Sequence, residues 1–358
     1  MTSAQPSSEA PVTRVVGFDV ARCLAILSMV FVNFEVVLGG GRRGPEWLRQ
    51  LAKMFEGNAS ALFVTLAGCG VVMLGRRAVV FRRALLLLVV GYLWQILWPG
   101  DILHYYAFYL SAGALCLGLG VRWLWLCAAG AVGGFVALFH WFDYGDGWRW
   151  TSLSYSDFWT VSGQLRNLAF NGWHPLLPWL GFLFAGMALA KWRMHERRRR
   201  RAVMLFSAAA YSASWWLSGT LTARPDERSW MEQLQRWYEA PEAFWAMDSL
   251  PPGPLYMLSA GACSAFIIAL CLELTSHDQI ARALRPLTRT GQLALTFYLV
   301  HVLALYFVVM PFAGDLEMSK LAYAGWTAAA FGLFAIAFAN LWPARRGPLE
   351  SLMRKVCG

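Results

Sequence analysis

Charged residues make up only 15% of the 358 positions, against 58% hydrophobic residues, and that shortage excludes an ordinary soluble domain. Other absences narrow the chemistry. No GxxxxGK[ST] run occurs, so no phosphate cradle for ATP-driven work is expected. No HExxH and no paired CxxC occurs, so no metal site is expected. None of the seven cysteines (Cys23, Cys69, Cys116, Cys127, Cys263, Cys271 and Cys357) falls in a long polar connection, which argues against an external disulfide framework. The first ten residues are polar with Glu9 as their only charge, and no cleavage motif follows the first apolar run, so no signal peptide is expected. Neither an internal repeat nor a low-complexity linker is found.

What the chain does contain is a series of ten apolar runs. A helix needs about 20 mostly apolar residues to cross the hydrocarbon layer. Runs of that kind lie near 16–38, 57–75, 84–99, 102–120, 123–141, 175–191, 202–219, 254–274, 291–312 and 321–342, with 84–99 and 102–120 also fitting a re-entrant pair. The expected fold is all-α: a polytopic membrane protein of about ten transmembrane helices, forming a single domain over 1–358. The 15% aromatic content and 19 tryptophans suit a chain with many bilayer-interface residues.

The net charge of +10 is unevenly spread. Basic residues cluster at Arg76, Arg77, Arg82 and Arg83; at Lys191, Arg193 and Arg197 to Arg201; at Arg282, Arg285 and Arg289; and at Arg345, Arg346, Arg354 and Lys355. Ten crossings put all four clusters, with Arg14 and Arg122, on the side of the N-terminus. This is the positive-inside pattern, so both termini are expected in the cytoplasm, with the chain a multi-pass protein of the cell membrane. Arg197–Arg201 taken alone looks like a nucleic-acid patch, but the run abuts an apolar stretch and matches the other clusters, so the expected partner is the lipid bilayer and no nucleic acid. In the first outer connection Arg42, Arg43, Arg49 and Lys53 outnumber Glu46, which fits headgroup contact better than an anionic substrate. The two longest outer connections are rich in aromatics (Trp148, Trp150, Trp159, Trp173, Trp230, Trp237 and Trp245). Interface anchoring is the commoner reason for that, and a lid or sugar-stacking surface is the alternative.

Ionisable groups inside a span are costly and mark functional sites by default. The first run, GFDVARCLAILSMVFVNFE, carries Asp19, Arg22 and Asn33. Eleven steps of 100° bring Asn33 back to the face of Arg22, about 16 Å further along the axis. Asp19 and Arg22 are spaced to pair. From spacing alone, an anchoring ion pair with an interhelical amide accounts for this pattern better than a functional seam does.

From Asp19 through Arg22 to MVFVNF (29–34) the chain resembles the first helix of the transmembrane acyltransferases that include heparan-alpha-glucosaminide N-acetyltransferase. It resembles more closely the bacterial YeiB-like family, the domain of unknown function numbered 418. The stretches EGNASALFVTLAG (56–68), WPGDILHYYAFYL (98–110), LRNLAFNGWHPLLPWLGFLFAGMALA (165–190), TGQLALTFYL and RRGPLESLMRK carry that second likeness over most of the chain. The resemblance implies transfer of an acyl group from a cytosolic acyl-coenzyme A, as co-substrate, to an acceptor across the membrane. In such relatives an asparagine matching Asn33 assists a histidine in the loop after the first span. Residues 34–56 hold no histidine here, so that residue has no counterpart. Arg22 matches the arginine that opens the arginine-x10-histidine pattern of related acyltransferases, with Asn33 in the histidine's place.

A base must then come from elsewhere. His195 and His277 belong to basic clusters, and His140 sits beside Trp141 at the end of a run. His104 follows Pro99-Gly100-Asp101, where Asp101 suits a helix cap and is also spaced to orient His104 as a base. His174 precedes Pro175 at a helix start, with Asn171 nearby and backbone N–H groups placed to receive an oxyanion. His301 lies mid-span, where Tyr298 or Thr296 would satisfy it as a packing residue. Glu35 and Glu56 are alternative bases, although Glu35 stands 200° round the helix from Asn33.

These readings converge on a membrane acyltransferase that moves an acyl group from acyl-coenzyme A to a sugar or small-molecule hydroxyl or amine at the outer face. His174 and His104 are the preferred bases, with Asn33 as polariser, Glu35 as a further candidate, and Arg22 with Asp19 serving the donor. The alternative is a transporter or flippase for a small or amphipathic solute using the same polar seam. A homodimer is compatible with either.

Overall fold

The computed structural model describes residues 15–38, 44–150, 152–222, 244–313, 319–344 and 346–358. Glu9, Arg14, Arg42, Arg43, Trp230, Trp237 and Arg345 lie outside the described residues. The described residues are mostly helical. Helix α1 (Val16–Leu38) leads through the short α2 (Glu46–Phe55) into α3 (Asn58–Leu74), and α4 (Arg77–Gln95), α5 (Leu103–Leu115) and α6 (Val121–Trp141) follow. A hairpin of two-residue strands, β1 (Trp148–Arg149) and β2 (Ser154–Tyr155), precedes α7 (Val161–Arg166), whose last residues unwind into a π-turn at Asn167–Asn171. Then come α8 (Leu176–Lys191), α9 (Arg197–Leu221), α10 (Pro254–Leu274), the short α11 (Asp278–Ala283) and α12 (Arg285–Gly291), α13 (Ala294–Ala304), α14 (Lys320–Leu341) and α15 (Pro348–Cys357).

Local chemistry explains several of these boundaries. Gly75, at φ +65°, closes α3 in the left-handed conformation that costs glycine least. Pro254 follows Gly253 at the first turn of α10, where its missing N–H is no loss. The Ser319 hydroxyl accepts the Ala322 N–H to cap α14.

Helix α1 is central, packing on α3, α10, α12, α13 and α14, while α3 and α8 form a second close pair. Small residues set that pair's spacing. A β-carbon at Gly68 would collide with the Leu183 carbonyl oxygen, and one at Gly186 with that of Thr65. The thiol of Cys69 donates to the Gly186 oxygen across the same contact (3.2 Å). Without a hydrophobic gradient between lipid and protein, such close backbone approach is what holds membrane helices together.

Each of the ten expected runs is helical. Yet only seven helices among the described residues are long and apolar enough to cross a membrane, and an eighth crossing exists if α7 and α8, bent by 48°, count as one. The two that fall short have separate reasons. α5 has only 13 residues before Gly118 and Gly120 break the run. α9 spends its first turn on Arg197–Arg201 and carries a serine-rich face. The expected run 84–99 is also displaced, because α4 begins at Arg77 and contains Arg82 and Arg83. Long arginine side chains can reach back to an interface without interrupting a helix.

The basic clusters gather at one end of the bundle and are joined by polar contacts. Lys191 donates to the carbonyls of Leu117 and Leu119 (2.7 Å each), Arg197 and Arg200 grip Glu273 (2.9 and 2.8 Å), and Arg289 donates to the Asn340 carbonyl (2.9 Å). Asp19, at the same end of α1, takes Arg22 at 2.5 Å and the Gln292 amide at 3.3 Å.

Candidate active site

The opposite ends of the helices enclose a cavity of about 430 Å³. Its wall includes the last turns of α1 (Asn33), the α2–α3 turn (Glu56) and first turn of α3 (Ser60), the α4–α5 turn (Trp98 to Ile102), the break before α8 (Trp173, His174), the hairpin tip (Leu153) and α13 (Tyr298). Polar groups therefore converge from several parts of the chain that are distant in sequence.

Asn33 does not stand alone. Its Nδ2 lies 2.9 Å from Nε2 of His301, and Nδ1 of His301 lies 3.3 Å from the Phe297 carbonyl oxygen. A carbonyl only accepts, so the proton belongs on Nδ1, and the neutral ring accepts from the Asn33 amide at Nε2. The hydroxyls of the expected partners of His301, Tyr298 and Thr296, are engaged elsewhere, although the Tyr298 ring packs on His301 at 5.4 Å. Thr296 donates its hydroxyl to Glu350 (2.6 Å) and Tyr298 donates to Asp101 (3.1 Å). The residues of this pair are 268 apart in sequence, and nothing in local spacing relates them. The one clue was that a mid-span histidine requires some partner.

His174 is seated differently. Its backbone carbonyl accepts the Tyr109 hydroxyl (2.5 Å) and its ring meets Trp179 edge-on at 4.7 Å. Its Nδ1 is buried and has no hydrogen-bond partner among the described residues. The π-turn just before it places Asn171 as a hub. Asn171 donates to the Tyr144 and Asp146 carbonyls (2.9 and 2.8 Å) and accepts from Tyr155 (2.8 Å). Burial raises the Tyr155 phenol above its ordinary pKa against the pull of Arg166, so it remains a donor.

Both contacts expected of Asp101 are present together. Its Oδ2 accepts the His104 backbone N–H and faces His104 Nδ1, each at 3.1 Å. Tyr298, which lines the cavity, completes the carboxylate from the other side while its oxygen accepts the Ile102 N–H (3.1 Å). Asp101 and His104 are buried behind the cavity wall, and His104 Nε2 has no partner among the described residues. Tyr105 packs against both His104 (3.9 Å) and His174 (6.0 Å), so the two histidines share one end of the bundle.

Other expected residues sit elsewhere. Glu35 is not on the cavity wall: α1 continues to Leu38, so the helical offset from Asn33 holds. Arg22 and Asp19 lie at the arginine-bearing end. A second, smaller cavity of about 240 Å³ shares Pro99, Leu153 and Trp173 with the first and is walled by Trp148, Trp159 and Phe158. Trp148 stacks on Trp150 at 4.4 Å, so several of the loop tryptophans pack on one another. Among the described residues no group of His, Cys, Asp and Glu is placed to hold a metal.

A mostly helical, multi-pass bundle with a histidine-bearing cavity at one end and arginines at the other is a membrane protein with a candidate site at one end. Residues 14–221 match the family model described as heparan-alpha-glucosaminide N-acetyltransferase, catalytic, and residues 187–357 match that described as protein of unknown function (DUF418). The first match spans more than half the chain, which therefore belongs to that membrane acetyltransferase family. A search of curated proteins found no match.

Proposed function

We propose that the chain is a ten-crossing acyltransferase, its arginine-rich end in the cytoplasm, that moves an acyl group from acyl-coenzyme A to a hydroxyl or amine held in the larger cavity. The observation that carries this reading is a cavity with His174, whose ring makes no hydrogen bond among the described residues, on one wall and an oriented amide on another. His174 takes the acceptor's proton as the acceptor oxygen or nitrogen attacks the thioester carbonyl carbon. Asn33, one amide hydrogen fixed on His301, turns the other toward the developing oxyanion. The carbon–sulfur bond breaks, and the imidazolium returns the proton to the departing thiolate. No acyl-enzyme is needed, and the buried cysteines serve as small apolar residues.

His104, oriented by Asp101, is the second candidate base, acting through the wall that Tyr298 and Trp98 form. Glu35 has no step in this scheme. Arg22, with Asp19, serves the donor's phosphates at the opposite end, so the acyl-bearing arm must extend along α1 for about the 16 Å that separate Arg22 from Asn33.

The test is thiol release. Purified chain in nanodiscs is supplied with acetyl-coenzyme A and, because the family description names an aminosugar, glucosamine as the first acceptor. Acceptor-dependent release of free thiol is expected, and both His174→Ala and His104→Ala should lower it. Full activity in both variants would remove the base assignment. Absence of thioester binding, with solute uptake into vesicles, would replace the transferase by a transporter.

A further inference from the structure

Two segments carry the family likeness without contributing a residue to acyl transfer as described above: the C-terminal RRGPLESLMRK and the first part of TGQLALTFYL. In the structure they meet. Helix α13 begins with Leu293 at its N-cap position, an apolar side chain that can cap nothing. The first-turn N–H groups would be orphaned in the bundle interior. Glu350 of α15 supplies what is missing. Its Oε1 accepts the N–H of Leu295 (2.8 Å) and of Thr296 (3.0 Å), and its Oε2 accepts the Thr296 hydroxyl (2.6 Å). A carboxylate here also meets the positive end of the helix dipole. Gly347, which opens α15, has no room for a side chain: a β-carbon would strike the Glu350 carboxylate, the Thr296 hydroxyl and Leu293. The α13 end is thus capped from 55 residues away.

Five residues beyond Thr296 stands His301, whose Nε2 holds the Asn33 amide, and between them stands Tyr298, which holds Asp101. We propose that Glu350 is a positioning residue for the cavity. By clamping the first turn of α13 it fixes the height and rotation of His301, and through His301 the direction of the Asn33 amide. The inference rests on the cavity being the reaction site. It makes α15 part of the site's scaffold rather than a surface appendage.

Two measurements on the full chain in nanodiscs test the proposal together. Hydrogen–deuterium exchange needs no substrate. Glu350→Ala should speed exchange at least tenfold through the turn that carries His301, not only at Leu295 and Thr296. Glu350→Gln, which keeps an acceptor oxygen for the two N–H groups and a donor for Thr296, should recover most of the protection. Thiol release with acetyl-coenzyme A is the second measurement. Glu350→Ala should lower kcat about tenfold or more with the donor KM within twofold, and in a His301→Ala background it should lower it by less than twofold further. Unchanged exchange at His301, or losses that multiply in the double variant, would overturn the proposal. A wild-type chain that releases no thiol would sink the transferase reading alone, leaving the exchange result to decide the clamp.

Discussion

At the scale of single residues, His174 on the cavity wall and His301 behind Asn33 do opposite jobs, and their hydrogen bonds tell them apart. His301 has both ring nitrogens engaged, one donating to Phe297 and one accepting from Asn33, so it orients a neighbour and has no capacity left for proton transfer. His174 Nδ1 has no partner among the described residues, so its capacity is unspent. The consequences of removal differ accordingly. His174→Ala breaks no side-chain hydrogen bond that the structure contains, and the Tyr109 bond to its main-chain carbonyl survives. Turnover should therefore fall by about 10²–10⁴-fold, the range typical of a lost general base, while the midpoint of thermal unfolding moves little. Asn33→Ala should lose about 10²–10³-fold in kcat, as removal of an oxyanion donor does. It should also lose stability, by about 1–3 kcal/mol, because His301 Nε2 is left buried without a donor. Thermal melts of the two variants run beside thiol-release assays check both statements. Equal destabilisation of the pair would contradict the division of roles.

At the scale of helices, stability depends on where backbones touch. Gly186 of α8 lies directly against Thr65 of α3, so Gly186→Val must push the two helices apart or distort one of them. The expected cost is at least the 1–3 kcal/mol usual for overpacking, read as a lower melting temperature. By contrast, Gly133→Val on α6, where a β-carbon meets nothing within 4 Å, should be near neutral. Helix identity was legible in the sequence because length and apolarity are local properties. The run 254–274 coincides with α10 to the residue, its start marked by Gly253 and Pro254. α4 begins before the apolar run 84–99 because Arg82 and Arg83, which mark a span edge by charge, lie inside the helix. The site was only half legible. Asp101 with His104, three residues apart, follows from helical spacing. Asn33 with His301, and Glu350 with Thr296, join segments 268 and 54 residues apart, and no periodicity in one sequence connects them.

At the scale of the whole molecule, the bundle is polar in two senses. One end is cross-linked by arginines and Lys191 through carbonyls and Glu273, and the other holds the cavity under a hairpin pinned by Arg166, which reaches Asp157 (2.6 Å), Asp146 (2.9 Å) and Tyr155 (2.7 Å). If the arginines follow the membrane's charge rule, the hairpin end faces away from the cytoplasm, and chemistry at the cavity takes place across the bilayer from the donor pool. Single cysteines decide the matter. Ser276 is exposed in the turn after α10 at the basic end, and Ser156 is exposed beside the hairpin at the cavity end. The seven native cysteines are buried or half-buried among helices, so their background labelling should be low. In intact cells an impermeant maleimide should modify Ser156→Cys and spare Ser276→Cys, and lysis should expose the second. The reverse pattern would put cavity and donor on the same side and remove any need for the acyl arm to travel the length of α1. That outcome would leave the bundle and its hydrogen bonds as described while taking away the reason for Arg22 to serve the donor, because a thioester in the cytoplasm would then reach His174 directly.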